Sequence, residues 1–150
     1  MTGGSRTGDG TTGGSTTGAG DSTTGGGTTG GGLITGLDHV QLAAPPGSED
    51  ALRAYYAGVL GMAEIPKPPA LAARGGCWFR GGGAELHLGI EADFLPARKA
   101  HPGLLVAGLD ALAARITAHG TPVTWDDALP GRRRFYCADP VGNRLEFLGV

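Results

Sequence analysis

The sequence predicts an α+β fold: two tandem βαβββ modules behind a low-complexity N-terminal tail. Three observations carry that prediction. Composition changes sharply at about residue 32, two downstream stretches repeat one order of strand and helix signals, and ionisable residues recur at matching places on those strands.

Residues 1–32 hold 14 Gly, 10 Thr and 3 Ser, with no aromatic residue. So little apolar surface does not offset the entropy of ordering a chain, so the stretch is predicted to be a disordered Gly/Thr-rich tail. It lacks the basic and apolar regions of a secretory signal. No later run reaches the roughly 18 apolar residues of a membrane span. The remainder carries 11 basic and 12 acidic residues, a balance that gives no electrostatic reason to expect nucleic acid or an anionic membrane as partner. Cys77 and Cys137 lie 60 positions apart, without C-x-x-C spacing. Free thiols in a cytoplasmic protein are the expectation.

Residues 36–150 read as one domain, with module one at about 36–95 and module two at about 100–150. Leu37–Ala44 alternates as a strand, placing Leu37, His39, Gln41 and Ala43 on one face. Ser48 or Glu49 caps a predicted helix through Asp50–Leu60, whose apolar positions fall at helical spacing and which Gly61 ends. The K-P-P-A segment is expected to form a turn or sheet edge. Strands are then predicted at Cys77–Arg80 and Ala84–Ile90. The second module repeats the order: a strand at His101–Val106, a helix from Leu109 to Gly120, and strands at Pro122–Trp125, Arg133–Cys137 and Arg144–Leu148. His39 to His87 spans 48 residues and His101 to Glu146 spans 45.

The repeat puts one ionisable residue on each of four strands: His39 and His101 on first strands, His87 and Glu146 on last strands. A lone His on a half-apolar strand is ordinarily a packed core residue. Recurrence at equivalent positions instead suggests that the four converge on one cavity. Three imidazoles and a carboxylate suit zinc, nickel, cobalt, manganese or iron, with three of the four as ligands if one position stays open. Either Trp78 or Phe79, which alternate on their strand, is expected to line the cleft. Arg134, Tyr136 and Ala138 share one strand face, and Asp139-Pro140 with Gly142-Asn143 read as a structural turn.

The segments L-D-H-V-Q-L, E-L-H-L-G, A-H-P-G-L-L-V and R-F-Y-C-A-D-P-V-G-N-R-L-E-F together resemble the vicinal oxygen chelate superfamily of glyoxalases, bleomycin resistance proteins and dioxygenases. The resemblance covers about residues 36–150, and its most specific piece is D-P-V-G-N-R-L-E-F. It implies curved mixed sheets around a cleft with a divalent metal at its base. Under it, His39, His101 and Glu146 match ligand positions. His87 stands where glyoxalase I has a catalytic Glu, and so is expected to serve as fourth ligand or base; Glu85, on the same face, is the rival for that place. Tyr136 matches a substrate-facing Tyr of the fosfomycin resistance enzymes. Arg134 beside it would hold an anionic group, and Gln41 and Trp78 complete the substrate-binding candidates.

The expected activity is a metal-dependent lyase, isomerase or transferase acting on a small substrate chelated through vicinal oxygens, with the metal as Lewis acid. The alternative is a metal-free small-molecule binder of the bleomycin-resistance type. An extradiol dioxygenase would need a longer domain. Modules of such proteins pair within one chain or between two copies as a homodimer, and the presence of both modules here favours pairing within the chain.

Overall fold

The computed structural model describes Met1, Gly3–Ser5 and Leu33–Val150. The predicted tail therefore lies almost wholly outside the described residues. Module one runs β1 (Val40–Ala44), α1 (Glu49–Arg53), β2 (Ala63–Ile65), α2 (Pro69–Ala72), β3 (Cys77–Gly81) and β4 (Ala84–Ile90). Module two runs β5 (Gly103–Val106), α3 (Leu109–Ala118), β6 (Thr124–Asp126), β7 (Arg134–Ala138) and β8 (Arg144–Gly149). The expected curved sheet takes the form of two four-stranded mixed sheets, ordered β1-β4-β3-β2 and β5-β8-β7-β6. In each, the first strand pairs parallel to the last and the remaining pairs are antiparallel.

Several boundaries differ from the sequence expectation, each for a local reason. The predicted Asp50–Leu60 helix is α-helical only to Arg53; Ala54–Val59 continue it as a π-helix. Leu60 N–H there bonds the Tyr55 carbonyl and Met62 N–H the Tyr56 carbonyl. This widening lets the adjacent Tyr55 and Tyr56 both turn inward, where both are fully buried. The K-P-P-A segment leads into the single turn α2, with Pro69 at a helix start where a missing N–H costs nothing. The second strand of module one is instead the three-residue β2 upstream. His39 and His101 precede β1 and β5 rather than lying inside them.

Strand alternation sorts the side chains into a helix-facing core and an open face on each sheet. Cys77, Phe79, Leu86 and Leu88 of the first sheet are buried, as are Phe135, Cys137, Leu145 and Phe147 of the second. They join Leu52, Tyr55, Tyr56, Leu109, Ala113 and Ile116 in one apolar cluster. Tyr56 stacks on Phe79 with ring centroids 5.2 Å apart, and Phe135 on Phe147 at 5.1 Å.

Polar bonds then tie the modules to each other. Tyr55 Oη meets Cys137 Sγ at 3.2 Å, and Tyr56 Oη donates to Asp139 Oδ2 at 3.0 Å. Asn143 Nδ2 donates to the Ala43 carbonyl at 2.9 Å. Asp139 also accepts the backbone N–H groups of Val141 and Asn143, and Gly142 adopts φ +94° in that turn. This is the structural turn the sequence predicts at 139–143.

Candidate functional site

The register of the two sheets shows how deep the internal repeat goes. His87 of β4 pairs with Gln41 on one side and Trp78 on the other; Glu146 of β8 pairs with Gly103 and Tyr136. His39 lies two residues before Gln41, and His101 two before Gly103. The four positions are thus equivalent in pairs, and each pair lies on the open face of its own sheet.

In module two, His101 Nε2 lies 3.2 Å from Glu146 Oε2. His101 Nδ1 donates to the Lys99 carbonyl at 2.6 Å, and a carbonyl only accepts, so Nδ1 carries the proton. In the neutral ring Nε2 therefore turns a lone pair toward a carboxylate oxygen, a contact that a proton or a metal cation must bridge. Glu146 Oε1 accepts from Tyr136 Oη at 3.0 Å and from Arg134 Nη1 at 2.8 Å. Burial opposes ionisation of Glu146, but the bonds from Tyr136 and Arg134, joined by His101 when its ring carries a second proton, outweigh it and hold its carboxyl below the ordinary range. Arg134 also binds Asp126 through Nε and Nη2, so its guanidinium is held between two carboxylates.

In module one, the His87 ring is sandwiched between Trp78, with centroids 3.8 Å apart, and His39, at 4.0 Å. His87 Nε2 donates to Glu85 Oε1 at 2.8 Å, which leaves Nδ1 as the free nitrogen of the neutral ring. Glu85 is further bound by Arg80, and these bonds with His87 and Arg80 hold its carboxyl below the ordinary range. His39 Nδ1 donates to Asp38 Oδ1 at 2.7 Å, so its Nε2 is free. Gln41 folds across Gly89, where a Cβ would lie 2.8 Å from Gln41 Nε2. Of the adjacent Trp78 and Phe79, Trp78 is on the open face while Phe79 is fully buried.

His39 is thus brought to His87, and His101 to Glu146. Among the described residues no group of three His, Cys, Asp or Glu gathers to hold a metal ion, so the expected convergence of four within one chain is not found. Equivalence under a repeat determines which positions match, not how the modules dock. Cavities of about 340 and 550 Å³ flank module two; the larger is lined by Trp125, Asp126 and Arg134, and neither includes His101 or Glu146. Sequence reasoning passed over Asp38, which orients His39, and Asp126, which holds Arg134. It also passed over Arg144, whose guanidinium lies 4.0 Å from the Tyr136 ring centroid. Alternation with Glu146 on β8 was the available signal for that residue.

The donor chemistry fits a divalent cation in part. Two ligands each about 2.1 Å from zinc lie roughly 3.0–3.4 Å apart at octahedral or tetrahedral angles, and the His101–Glu146 separation falls in that interval. His39 and His101 each present Nε2 with Nδ1 bound to an oxygen, the tautomer that metal-ligating histidines adopt.

Paired βαβββ modules with His and Glu on matching open faces define a vicinal oxygen chelate fold. No protein-family model and no curated protein matches the chain. Among solved structures, a glyoxalase family protein from Bacillus anthracis is 47% identical, with a TM-score of 0.76, over 79% of this chain and 97% of that one. The chain belongs to the glyoxalase family of vicinal oxygen chelate proteins. The fold is shared with a fosfomycin resistance protein from Listeria monocytogenes, 17% identical with a TM-score of 0.64 over 79% of this chain and 95% of that one. It is also shared with an antibiotic-binding protein from Streptomyces sp. CB03234, 19% identical with a TM-score of 0.58 over 77% and 98%. Among the described residues no helix is long and apolar enough to cross a membrane.

Proposed function

We propose that this protein is a divalent-metal-dependent enzyme of the glyoxalase type, acting on a small substrate that presents two neighbouring oxygens. The observation that carries the reading is the His101–Glu146 contact at 3.2 Å, in which the neutral ring turns a lone pair toward the carboxylate. His101 Nε2, Glu146 Oε2 and His39 Nε2 would hold the ion. The ion supplies Lewis-acid polarisation of the substrate oxygens. Tyr136 and Arg134 hold Glu146 ionised and in place, as outer partners of a ligating carboxylate do. His87 takes a proton at Nδ1, and Glu85 stabilises the resulting imidazolium through Nε2.

A complete site needs both half-sites, and we place them in a homodimer, module one of one copy facing module two of the other. Three features support that arrangement. The two pairs are separate within the chain, β1 and β5 each leave one edge unpaired among the described residues, and Leu105 of β5 is 65% exposed beside Gly103.

Mixing two defective variants tests this. His39→Ala and Glu146→Ala should each lose bound metal when purified alone. Denatured together and refolded as an equal mixture, half of the dimers are mixed, and each of those regains one intact site, so bound zinc should recover to about a quarter of the wild-type content. No recovery removes the shared site. A wild-type protein that takes up no zinc, manganese, nickel, cobalt or iron favours a metal-free binder instead, with the Trp78–His87 stack as platform for a flat ligand.

A further inference from the structure

Building on the metal-site reading above, we propose that Arg144 recognises an oxyanion, so that the substrate carries a carboxylate, phosphate or phosphonate beside the oxygens it presents to the site. Arg144, Glu146 and Leu148 alternate onto one face of β8. Successive residues of that face lie about 6.7 Å apart along a strand, so the guanidinium is rooted one such step from the Glu146 carboxylate. Its partner across the antiparallel pair is Ala138, too small to fill the space above the sheet. The side chain of Arg144 therefore folds over Tyr136, whose hydroxyl reaches Glu146 and whose ring meets His101 edge-on at 5.5 Å.

Charge pairing and burial together separate Arg144 from the other described arginines, since Arg74, Arg98 and Arg132 also lack a carboxylate or carbonyl partner but are exposed to water. Arg53, Arg80, Arg133 and Arg134 bind carboxylates, and Arg115 binds the Gly58 carbonyl. Arg144 is half-buried, yet among the described residues it has no carboxylate or carbonyl partner. A guanidinium that loses water without gaining an acceptor is costly to maintain, and stacking on Tyr136 offsets only part of that cost. Stacking engages the flat face of the group. The five N–H donors lie in its plane, where two can meet an oxyanion side by side.

Arg134, the expected anion holder, is bound by Asp126 and Glu146, whereas Arg144 is free to receive one. The bare half-site is close to electrically balanced, with Arg134 and Arg144 against Asp126 and Glu146. A divalent cation on His101 and Glu146 would leave it positive, which favours an anionic substrate.

The test compares two small chelators on the zinc-loaded full chain by titration calorimetry. Acetohydroxamate offers only its two neighbouring oxygens; succinic acid monohydroxamate offers the same pair plus a carboxylate. In the wild type the carboxylate should raise affinity about tenfold, as a charge-assisted bidentate contact does. In Arg144→Gln the ratio of the two affinities should fall to about one, and Arg144→Lys, which restores charge without the fork, should give an intermediate ratio. A wild-type ratio of one, or a ratio unchanged in Arg144→Gln, overturns the proposal. If acetohydroxamate fails to bind while the succinyl compound binds in an Arg144-dependent way, the metal reading falls and the anion site stands.

Discussion

Replacing Glu146 with Gln is the sharpest probe of the module-two half-site, because it removes a charge with almost no change of shape. The amide oxygen can still accept from Tyr136 and Arg134, and the amide N–H can donate to His101 Nε2, so the fold is retained. Losing the charge-assisted part of those bonds should cost about 1 kcal/mol without metal. For a domain of about 115 residues, an unfolding entropy of roughly 2.1 cal/mol/K per residue makes 1 kcal/mol worth about 4 °C in Tm. Metal at 100 times its Kd stabilises the wild type by about 2.7 kcal/mol, a rise of about 11 °C. A neutral amide in place of the carboxylate ligand should weaken the site by at least about 100-fold. The same metal concentration then gives only about 0.4 kcal/mol, or about 2 °C. Differential scanning fluorimetry with and without chelator reads both numbers. An undiminished rise in Glu146→Gln would show that this carboxylate holds no metal.

Three further outcomes follow from packing and ionisation. Asp139→Ala leaves the N–H groups of Val141 and Asn143 and the Tyr56 hydroxyl without their acceptor, and the Asn143 side-chain amide with the Ala43 carbonyl alone; urea unfolding should show a loss of about 3 kcal/mol or more. Gly76→Ala places a Cβ 2.0 Å from the Leu88 carbonyl oxygen at φ +78°, and should destabilise by more than about 2 kcal/mol on the same assay. Stability should also fall at both pH extremes. Glu146 and Glu49 have lowered folded-state pKa values, Glu49 chiefly through the Gly76 N–H, so their contribution is present above the ordinary value of 4.5 and is lost as pH drops below it. Burial raises Cys77 from 9.0 to about 11 and lifts Tyr55 and Tyr56 as well. Their contribution is complete below about pH 9 and declines above it, as the unfolded chain ionises first; Tm measured against pH should show both limbs.

The internal repeat was legible because each module uses the same alternation and nearly the same spacing, and the observed register makes His39 equivalent to His101 and His87 to Glu146. The strand β2 was not legible, since Ala63-Glu64-Ile65 is too short to show a period. Nor was the π-helical turn, because inward-facing residues at adjacent positions resemble an ordinary broad helical face. Alternation alone gives Arg134 on β7 and Arg144 on β8 the same open face. Only the tertiary partners, Asp126 and Glu146 against Tyr136, distinguish the bound guanidinium from the free one.

The bond from Asn143 to Ala43, with Tyr56 reaching Asp139 behind it, bolts the turn before β8 onto module one. The D-P-V-G-N turn is thus a docking device: it fixes one module against the other, while the Arg144 and Glu146 that follow it in the same signature belong to the half-site on β8. A motif that encodes assembly travels with the scaffold whatever reaction the open faces perform. Sorting such proteins by chemistry therefore calls for the side chains at positions 39, 87, 101, 144 and 146 rather than for the turn at 139–143.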